Sequence, residues 1–315
     1  MLNYSVRRVA LTGVSVVVAG GLAFVTAGCG ARPTAHAGEP VIIAQTQPST
    51  ASSASSATPS ATTPPTDPTT TPPGAETGAP NMIDPAPLEQ AARGVEPNTT
   101  LGAVVYDRVT SRELLSVNAD RQFRSASLVK LMIAIDALNR GASTTERKQI
   151  ARMLSMSDDN IASSLWVKGG PGIITRVVAL IGLQDTEAPE QAGKWGEVKL
   201  TARDLVLVYQ YIMNSLPPED HALIVDALAS APQHAADGFD QYFGIPDGLN
   251  TQWAIKQGWG NNSTAMVLHS TGLVGTDNRY IVILLTEHPL GSGWRTSASS
   301  VTAAAKALDG QLPGA

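Results

Sequence analysis

Ser127-Leu128-Val129-Lys130-Leu131-Met132-Ile133-Ala134-Ile135-Asp136-Ala137-Leu138-Asn139 is the most apolar internal stretch of the chain. Leu128, Leu131, Met132, Ile135 and Leu138 recur at intervals of three and four, the period of a helix. Ser127 and Lys130 fall on one face of it. The residues next along that face, Ile133, Ala134 and Ala137, are apolar or small, so Lys130 is expected to be buried beside Ser127. Burial penalises the ammonium form. A neutral amine can then take the proton of a neighbouring hydroxyl and make it a nucleophile. The plainer alternative is a capping serine followed by a lysine whose head reaches water. Taken alone, the segment favours that alternative.

Working outward, Leu101 to Tyr106, the turn Asp107-Arg108-Val109-Thr110 and Arg112 to Val117 predict a β-hairpin. Helices are expected over 145–155, 159–168, 171–181, 201–214 and 219–230. Strands return at Gln252 to Gln257, Thr264 to Ser270 and Arg279 to Thr286. The last two are joined through Gly275-Thr276-Asp277-Asn278, a good turn sequence. A helix from Ser297 to Leu308 closes the chain. Strands at both ends with helices between predict an α/β fold of the α+β type. It has one antiparallel sheet built from both termini of the domain, flanking helices, and an inserted all-helical lobe.

Two further segments matter. Ser157-Asp158-Asp159-Asn160 opens a predicted helix, and Lys256-Gln257-Gly258-Trp259 runs from a predicted strand. The first could be only a cap with acids that complement the helix dipole. The second could be only an edge strand guarded by a charge. In this order and on these elements, the three segments resemble the S-x-x-K, S-D-N and K-T-G motifs of the penicillin-recognising serine hydrolases. That group holds the class A β-lactamases and the D-alanyl-D-alanine peptidases. The resemblance runs from about Asn81 to the end of the chain. It also takes in Gly169-Gly170-Pro171 and Leu200-Thr201-Ala202-Arg203-Asp204-Leu205.

The resemblance implies a role for each matched residue. Ser127 would be the acylated nucleophile and Lys130 its general base. Ser157 would relay a proton to the leaving nitrogen. Lys256 would hold the substrate carboxylate and oppose a lasting charge on Lys130. The amides of Ser127 and Trp259 would form the oxyanion hole. Asp159, Asn160, Gln257, Gly258 and Trp259 would be substrate-binding positions. The ligands implied are peptidoglycan stem peptides ending in D-alanine, or β-lactams, with no cofactor and no metal.

This sequence departs from the pattern in four places. Gln257 stands where the third motif has a hydroxyl residue. The second motif carries one extra residue, so either Ser157 and Asp159 fill its frame, the preferred register, or Asn160 does. An ionised Asp159 could accept but not donate a hydrogen bond, and its charge would oppose a substrate carboxylate. Ser127 and Ser157 lie only thirty residues apart, which predicts a reduced helical lobe. None of Glu187, Glu190 and Glu197 sits in an E-x-x-L-N loop, the source of the deacylating base in class A enzymes. An acyl-enzyme on Ser127 would then be long-lived, which argues against efficient β-lactamase turnover. A catalytically inactive binding or scaffold protein of the same fold stays open as an alternative.

The amino terminus supplies an address. Arg7 and Arg8 precede an uncharged run from Val9 to Val25, followed by Thr26-Ala27-Gly28-Cys29. This is the pattern of a secretory signal peptide over 1–28. The last four residues resemble a bacterial lipobox, with Thr26 where an aliphatic residue is usual. Lipidation of Cys29 and a place on the outer face of the cell membrane are the expectation. The paired arginines leave open whether export is by the general or the twin-arginine route. Cys29 is the single cysteine, so no internal disulfide can form. Residues 29–80 are dominated by Ala, Ser, Thr and Pro and cannot bury enough surface to offset their ordering entropy. They are expected to form a flexible tether. The hydrolase-like domain is expected over 81–315, long enough for a sizeable core. The net charge of −5 and the lack of a basic cluster give no sign of nucleic-acid binding. No Cys/His cluster suggests a metal. There is no Gly-x-Ser-x-Gly, and His36, His221, His234, His269 and His288 stand apart, so a histidine-based hydrolase is disfavoured.

Overall fold

The computed structural model describes residues 83–314. The signal peptide, Cys29 and the tether to residue 80 lie outside the described residues. In chain order the elements are α1 (Ala86–Val95), β1 (Thr100–Asp107), β2 (Arg112–Val117), β3 (Phe123–Arg124), α2 (Val129–Asn139), α3 (Thr144–Ser155), α4 (Asp159–Gly169) and α5 (Ile173–Ile181). Then follow β4 (Lys199–Leu200), α6 (Ala202–Asn214), α7 (Pro218–Ala229), α8 (Ile245–Gly248), β5 (Trp253–Asn261), β6 (Met266–Val274), β7 (Tyr280–His288) and α9 (Trp294–Lys306).

The main sheet is antiparallel throughout, in the order β2-β1-β7-β6-β5. The amino-terminal hairpin and the carboxyl-terminal strands meet where β1 pairs with β7, Val104 opposite Ile283. Side chains alternate across a sheet, and here both faces are covered. On β7, Tyr280, Val282 and Leu284 pack toward α1 and α9, while Ile281, Ile283 and Leu285 pack toward the helical lobe. That is why β7 is apolar at six successive positions rather than at every second one.

The lobe between β3 and β5 is organised around α2, which is buried from Val129 to Leu138. Helices α3, α4, α5 and α6 pack against it, so no side of it needs to be polar. Its one acid, Asp136, is buried but accepts from Arg140 Nε at 2.8 Å and Arg176 Nε at 2.7 Å. A buried carboxylate is tolerated when it is paired in this way. Among the described residues no single helix is long and apolar enough to cross a membrane.

The architecture is the expected one, with differences at the margins. Strand β5 runs four residues beyond its expected end, because the turn into β6 is set further on. There Asn262 Oδ1 accepts from the amides of Thr264 and Ala265 at 2.9 and 3.0 Å. Helix α9 starts three residues early, directly after Gly293, whose φ of 75° suits glycine. Helix α1, the two-residue pair β3–β4 and α8 were not anticipated. Helix α1 exposes most of its surface and is held through Leu88 and Ala92.

Candidate active site

Three elements converge at the β5 edge of the sheet. A 3-10 turn, Ala126–Leu128, carries Ser127 into α2. The turn into α4 carries Ser157 and Asp159, and β5 carries Lys256. As the edge strand, β5 has one flank unpaired by the sheet, and it packs against the 3-10 turn. Gly258 permits the close approach. A Cβ there would lie 3.1 Å from Leu128 Cγ, 3.1 Å from the Ser125 carbonyl oxygen and 3.3 Å from His269 Cδ2. Gly258→Ala is accordingly expected to push β5 off the Ser127 turn. A stability loss of about 1–3 kcal/mol, read from urea unfolding, should accompany it.

The local backbone is specialised. Ala126 and Ser157 have φ of 44° and 52°, values uncommon outside glycine. The turn is held by Ser125 N to the Val198 carbonyl at 2.7 Å and Leu128 N to the Ser125 carbonyl at 3.0 Å. Asp158 caps α4, accepting from the Asn160 and Ile161 amides at 3.1 and 3.2 Å and from Arg152 Nε at 3.0 Å. With Asp158 turned into its helix, Ser157 and Asp159 face Lys130, while Asn160 is exposed and has no side-chain contact with the two lysines. This is the Ser157/Asp159 register.

Lys130 Nζ lies 2.8 Å from Ser127 Oγ, 2.7 Å from the Ser157 carbonyl oxygen, 3.0 Å from Ser157 Oγ and 2.5 Å from Asp159 Oδ1. Lys256 Nζ reaches Ser157 Oγ from the other side at 3.0 Å and donates to the Gln257 carbonyl at 2.8 Å. Both lysines are fully buried. The Ser157 hydroxyl therefore bridges them, and an unbroken hydrogen-bonded path runs from Ser127 Oγ to β5. Burial pushes the Lys130 amine below the usual lysine range, against the Asp159 carboxylate, which raises it. Lys256 is pushed down further, by burial first and then by the nearby Lys130 charge. Two buried amines, one of them pushed down by the other's charge, suit a site that moves protons.

Gln257 points elsewhere. Its amide nitrogen donates to the Gln241 and Phe243 carbonyls at 2.9 and 2.7 Å, tying β5 to the segment before α8. Both its donors are thereby occupied. Trp259 flanks the Ser127 cleft, stacks on Phe239 at 4.7 Å, and donates from Nε1 to Asp237 at 3.1 Å. The cleft is small, about 130 Å³, and is also bordered by Arg124, Asp159, Trp195 and Glu197. A larger groove of about 710 Å³ lies beside it, between α9 and residues 239–247, with Phe239 shared by the groove wall and the Trp259 stack.

The roles of Arg124, Trp195, Asp237 and Phe239 had no local signal in the sequence. Of the three candidate glutamates, Glu197 borders the Ser127 cleft, but it is held by Arg124 Nη1 at 3.0 Å. Glu187 pairs with Lys199 at 3.5 Å, and both line, with Glu190, a separate cleft that does not include Ser127. His269 and His288 are buried in the sheet away from the lysines, as polar members of its hydrogen-bond network.

No protein-family model matches the chain. Proteins named "Putative lipoprotein LppW" from Mycobacterium bovis and from two strains of Mycobacterium tuberculosis are 33% identical over 241 residues, covering 73% of this chain and 74% of theirs. Among solved structures, a PBP-A mutant described as its acyl-enzyme complex with penicillin G aligns with a TM-score of 0.58 at 17% identity, covering 73% of this chain and 97% of the other. The β-lactamase of Sphaerobacter thermophilus aligns with a TM-score of 0.55 at 20% identity, covering 74% and 100%. These two likenesses establish the fold.

Proposed function

This chain belongs to the family of the mycobacterial LppW lipoproteins and has a β-lactamase/PBP-like fold; on that premise we propose that it is an exported, Cys29-anchored serine acyl-transfer protein that acts on peptidoglycan stem peptides at the outer face of the membrane. The observation that carries the proposal is the path Ser127 Oγ–Lys130 Nζ–Ser157 Oγ–Lys256 Nζ, with successive separations of 2.8, 3.0 and 3.0 Å. In the proposed step, Ser127 Oγ bonds to the carbonyl carbon of the peptide or β-lactam amide. Its proton passes to Lys130. The carbon–nitrogen bond breaks as Ser157 gives its proton to the departing nitrogen, and Ser157 is reprotonated from the lysine pair. The 3-10 turn and the β5 edge supply backbone donors for the carbonyl oxygen.

Among the described residues the one glutamate bordering the cleft, Glu197, is engaged by Arg124, and the bordering Asp159 is held by Lys130, so no free carboxylate is placed to activate a deacylating water. The acyl-enzyme is therefore expected to persist. A binding module without turnover is the second reading. It is favoured by Gln257, whose amide is occupied by Gln241 and Phe243 and is not free for a substrate carboxylate.

A fluorescent penicillin separates the two. Covalent label on the purified protein, seen by gel and by intact mass and abolished in Ser127→Ala, is the expected result. A folded protein that takes no label at high probe concentration would leave the binding module. Rapid loss of label would instead mean β-lactamase turnover.

A further inference from the structure

Lys130 must be uncharged when Ser127 reacts, and one contact opposes that. Four oxygens lie within 3.0 Å of its Nζ. Two of them, the Ser157 carbonyl and the Asp159 carboxylate, can only accept. They take two N–H bonds in either protonation state. The third position of the nitrogen faces the hydroxyls of Ser127 and Ser157. There it presents either a third N–H, in the ammonium, or the lone pair that makes Lys130 a base. Geometry allows both states, so charge decides between them.

We propose that Asp159 is a positioning residue that acts as a brake through Lys130, its carboxylate favouring the ammonium form of the amine at neutral pH so that Ser127 reacts slowly until that charge is removed.

The surrounding charges single out Asp159. Burial opposes a charge on Lys130, and the Lys130 charge in turn pushes Lys256, on β5, down. Asp158 is turned into the α4 cap, and Asp237 is bonded to Trp259 Nε1, so each favours the ammonium only from a distance. Glu197 and Arg124 neutralise each other, and Asp136, further along α2, is paired with two arginines. The Trp195 ring lies 5.1 Å from Nζ and also favours a cation. Among the described residues Asp159 is the one anion in direct contact, at 2.5 Å. Its side chain is 66% exposed, and Lys130 is its only side-chain hydrogen-bond partner among the described residues. It can swing into water without breaking another bond.

Asp159→Asn is the informative change, because an amide oxygen accepts the same N–H without the charge. An opposite charge in contact moves a pKa by about 1–3 units, and exposure of the carboxylate places the expected shift near the lower end, about one unit. The full chain, solubilised in detergent and carrying lysines labelled at Cε with carbon-13, is titrated by NMR, with Lys130→Ala identifying the Lys130 signal. The Lys130 midpoint is expected to fall by about one unit in Asp159→Asn and to stay near wild type in Asp159→Glu. The penicillin acylation rate measured across pH should show its rising limb displaced by the same amount, so that below the limb the Asn variant labels about tenfold faster.

An unmoved or raised Lys130 midpoint in Asp159→Asn overturns the brake, whatever the labelling shows. The rate arm rests on the acyl-transfer reading and the titration does not. Absence of label in every variant with a lowered midpoint would leave the brake standing and remove the acyl-transfer reading.

Discussion

Cys29→Ala is expected to move the protein entirely from the membrane fraction to the soluble exported fraction. Buried acyl methylenes contribute about 0.8 kcal/mol each, so a diacylglyceryl group with chains of ordinary length holds on the order of 20 kcal/mol of membrane affinity. Among the described residues no single helix is long and apolar enough to span a membrane. The tether of Ala, Ser, Thr and Pro is too polar to insert. Fractionation of cells expressing wild type, Cys29→Ala and Ser127→Ala checks it. The serine variant should remain membrane-bound, which separates anchoring from chemistry. A Cys29→Ala protein that still sediments with membranes and is released by high salt would mean electrostatic attachment and would sink the lipid assignment. Thr26, in place of the usual aliphatic residue, makes the lipobox imperfect, so lipidation should be read directly from the mass of the amino-terminal peptide.

The sheet was legible because its strands are apolar runs closed by turn residues, and because hairpins at both ends of the domain need one another to bury their faces. Val104 opposite Ile283 is the outcome. The grouping of Ser127, Lys130, Ser157 and Lys256 came from the resemblance of three segments to a motif set, since each segment alone has a plainer structural reading; the structure places the four side chains in one hydrogen-bonded path. What was not legible depends on contacts distant in sequence. Trp195 and Glu197 reach the cleft because the segment before them is anchored by Asp204, which accepts from the Gln184 and Asp185 amides at 3.0 and 2.9 Å and from Thr186 Oγ1 at 2.7 Å. No period in the sequence encodes that path. Gln257 illustrates the opposite difficulty. Its position in the third motif suggests a ligand contact, but the carbonyls of Gln241 and Phe243 claim its amide. The register of the second motif was open until the cap formed by Asp158 fixed which neighbours face Lys130.

Two buried histidines on β6 and β7 are expected to make the domain acid-labile above the carboxylate range. His269 is fully buried; its Nε2 donates to the Arg124 carbonyl at 2.7 Å and its Nδ1 accepts from the Thr286 amide at 3.2 Å. That arrangement fits only the neutral ring, because a proton on Nδ1 would face the Thr286 N–H. Burial pushes His269 down to about 4, and His288, held between Thr99 Oγ1 at 3.1 Å and Thr286 Oγ1 at 2.7 Å, is pushed to about 4 as well. A histidine depressed in the folded state leaves the unfolded chain binding more protons between about pH 4 and 6.5, so stability rises with pH across that window and is lost as pH falls through it. A shift of this size is worth about 3 kcal/mol per histidine, set against total stabilities of about 5–15 kcal/mol for a domain. His269 should bear the cost more strictly, since a charged His288 could donate to Thr99 Oγ1, which can pass its own hydrogen to Ser300 Oγ at 3.0 Å and so stay satisfied. Urea unfolding at pH 7.5, 6, 5 and 4.5 should show the midpoint falling steadily, and His269→Gln should flatten the slope while lowering stability at pH 7.5. A midpoint that holds level down to pH 4.5 would show that neither ring must stay neutral. Because His269 Cδ2 lies against the Gly258 position and its Nε2 bonds the Arg124 carbonyl, three residues before Ser127, acid loosening should reach the cleft first. Penicillin labelling, once divided by the Lys130 protonation limb, should therefore decline at a higher pH than the global unfolding signal.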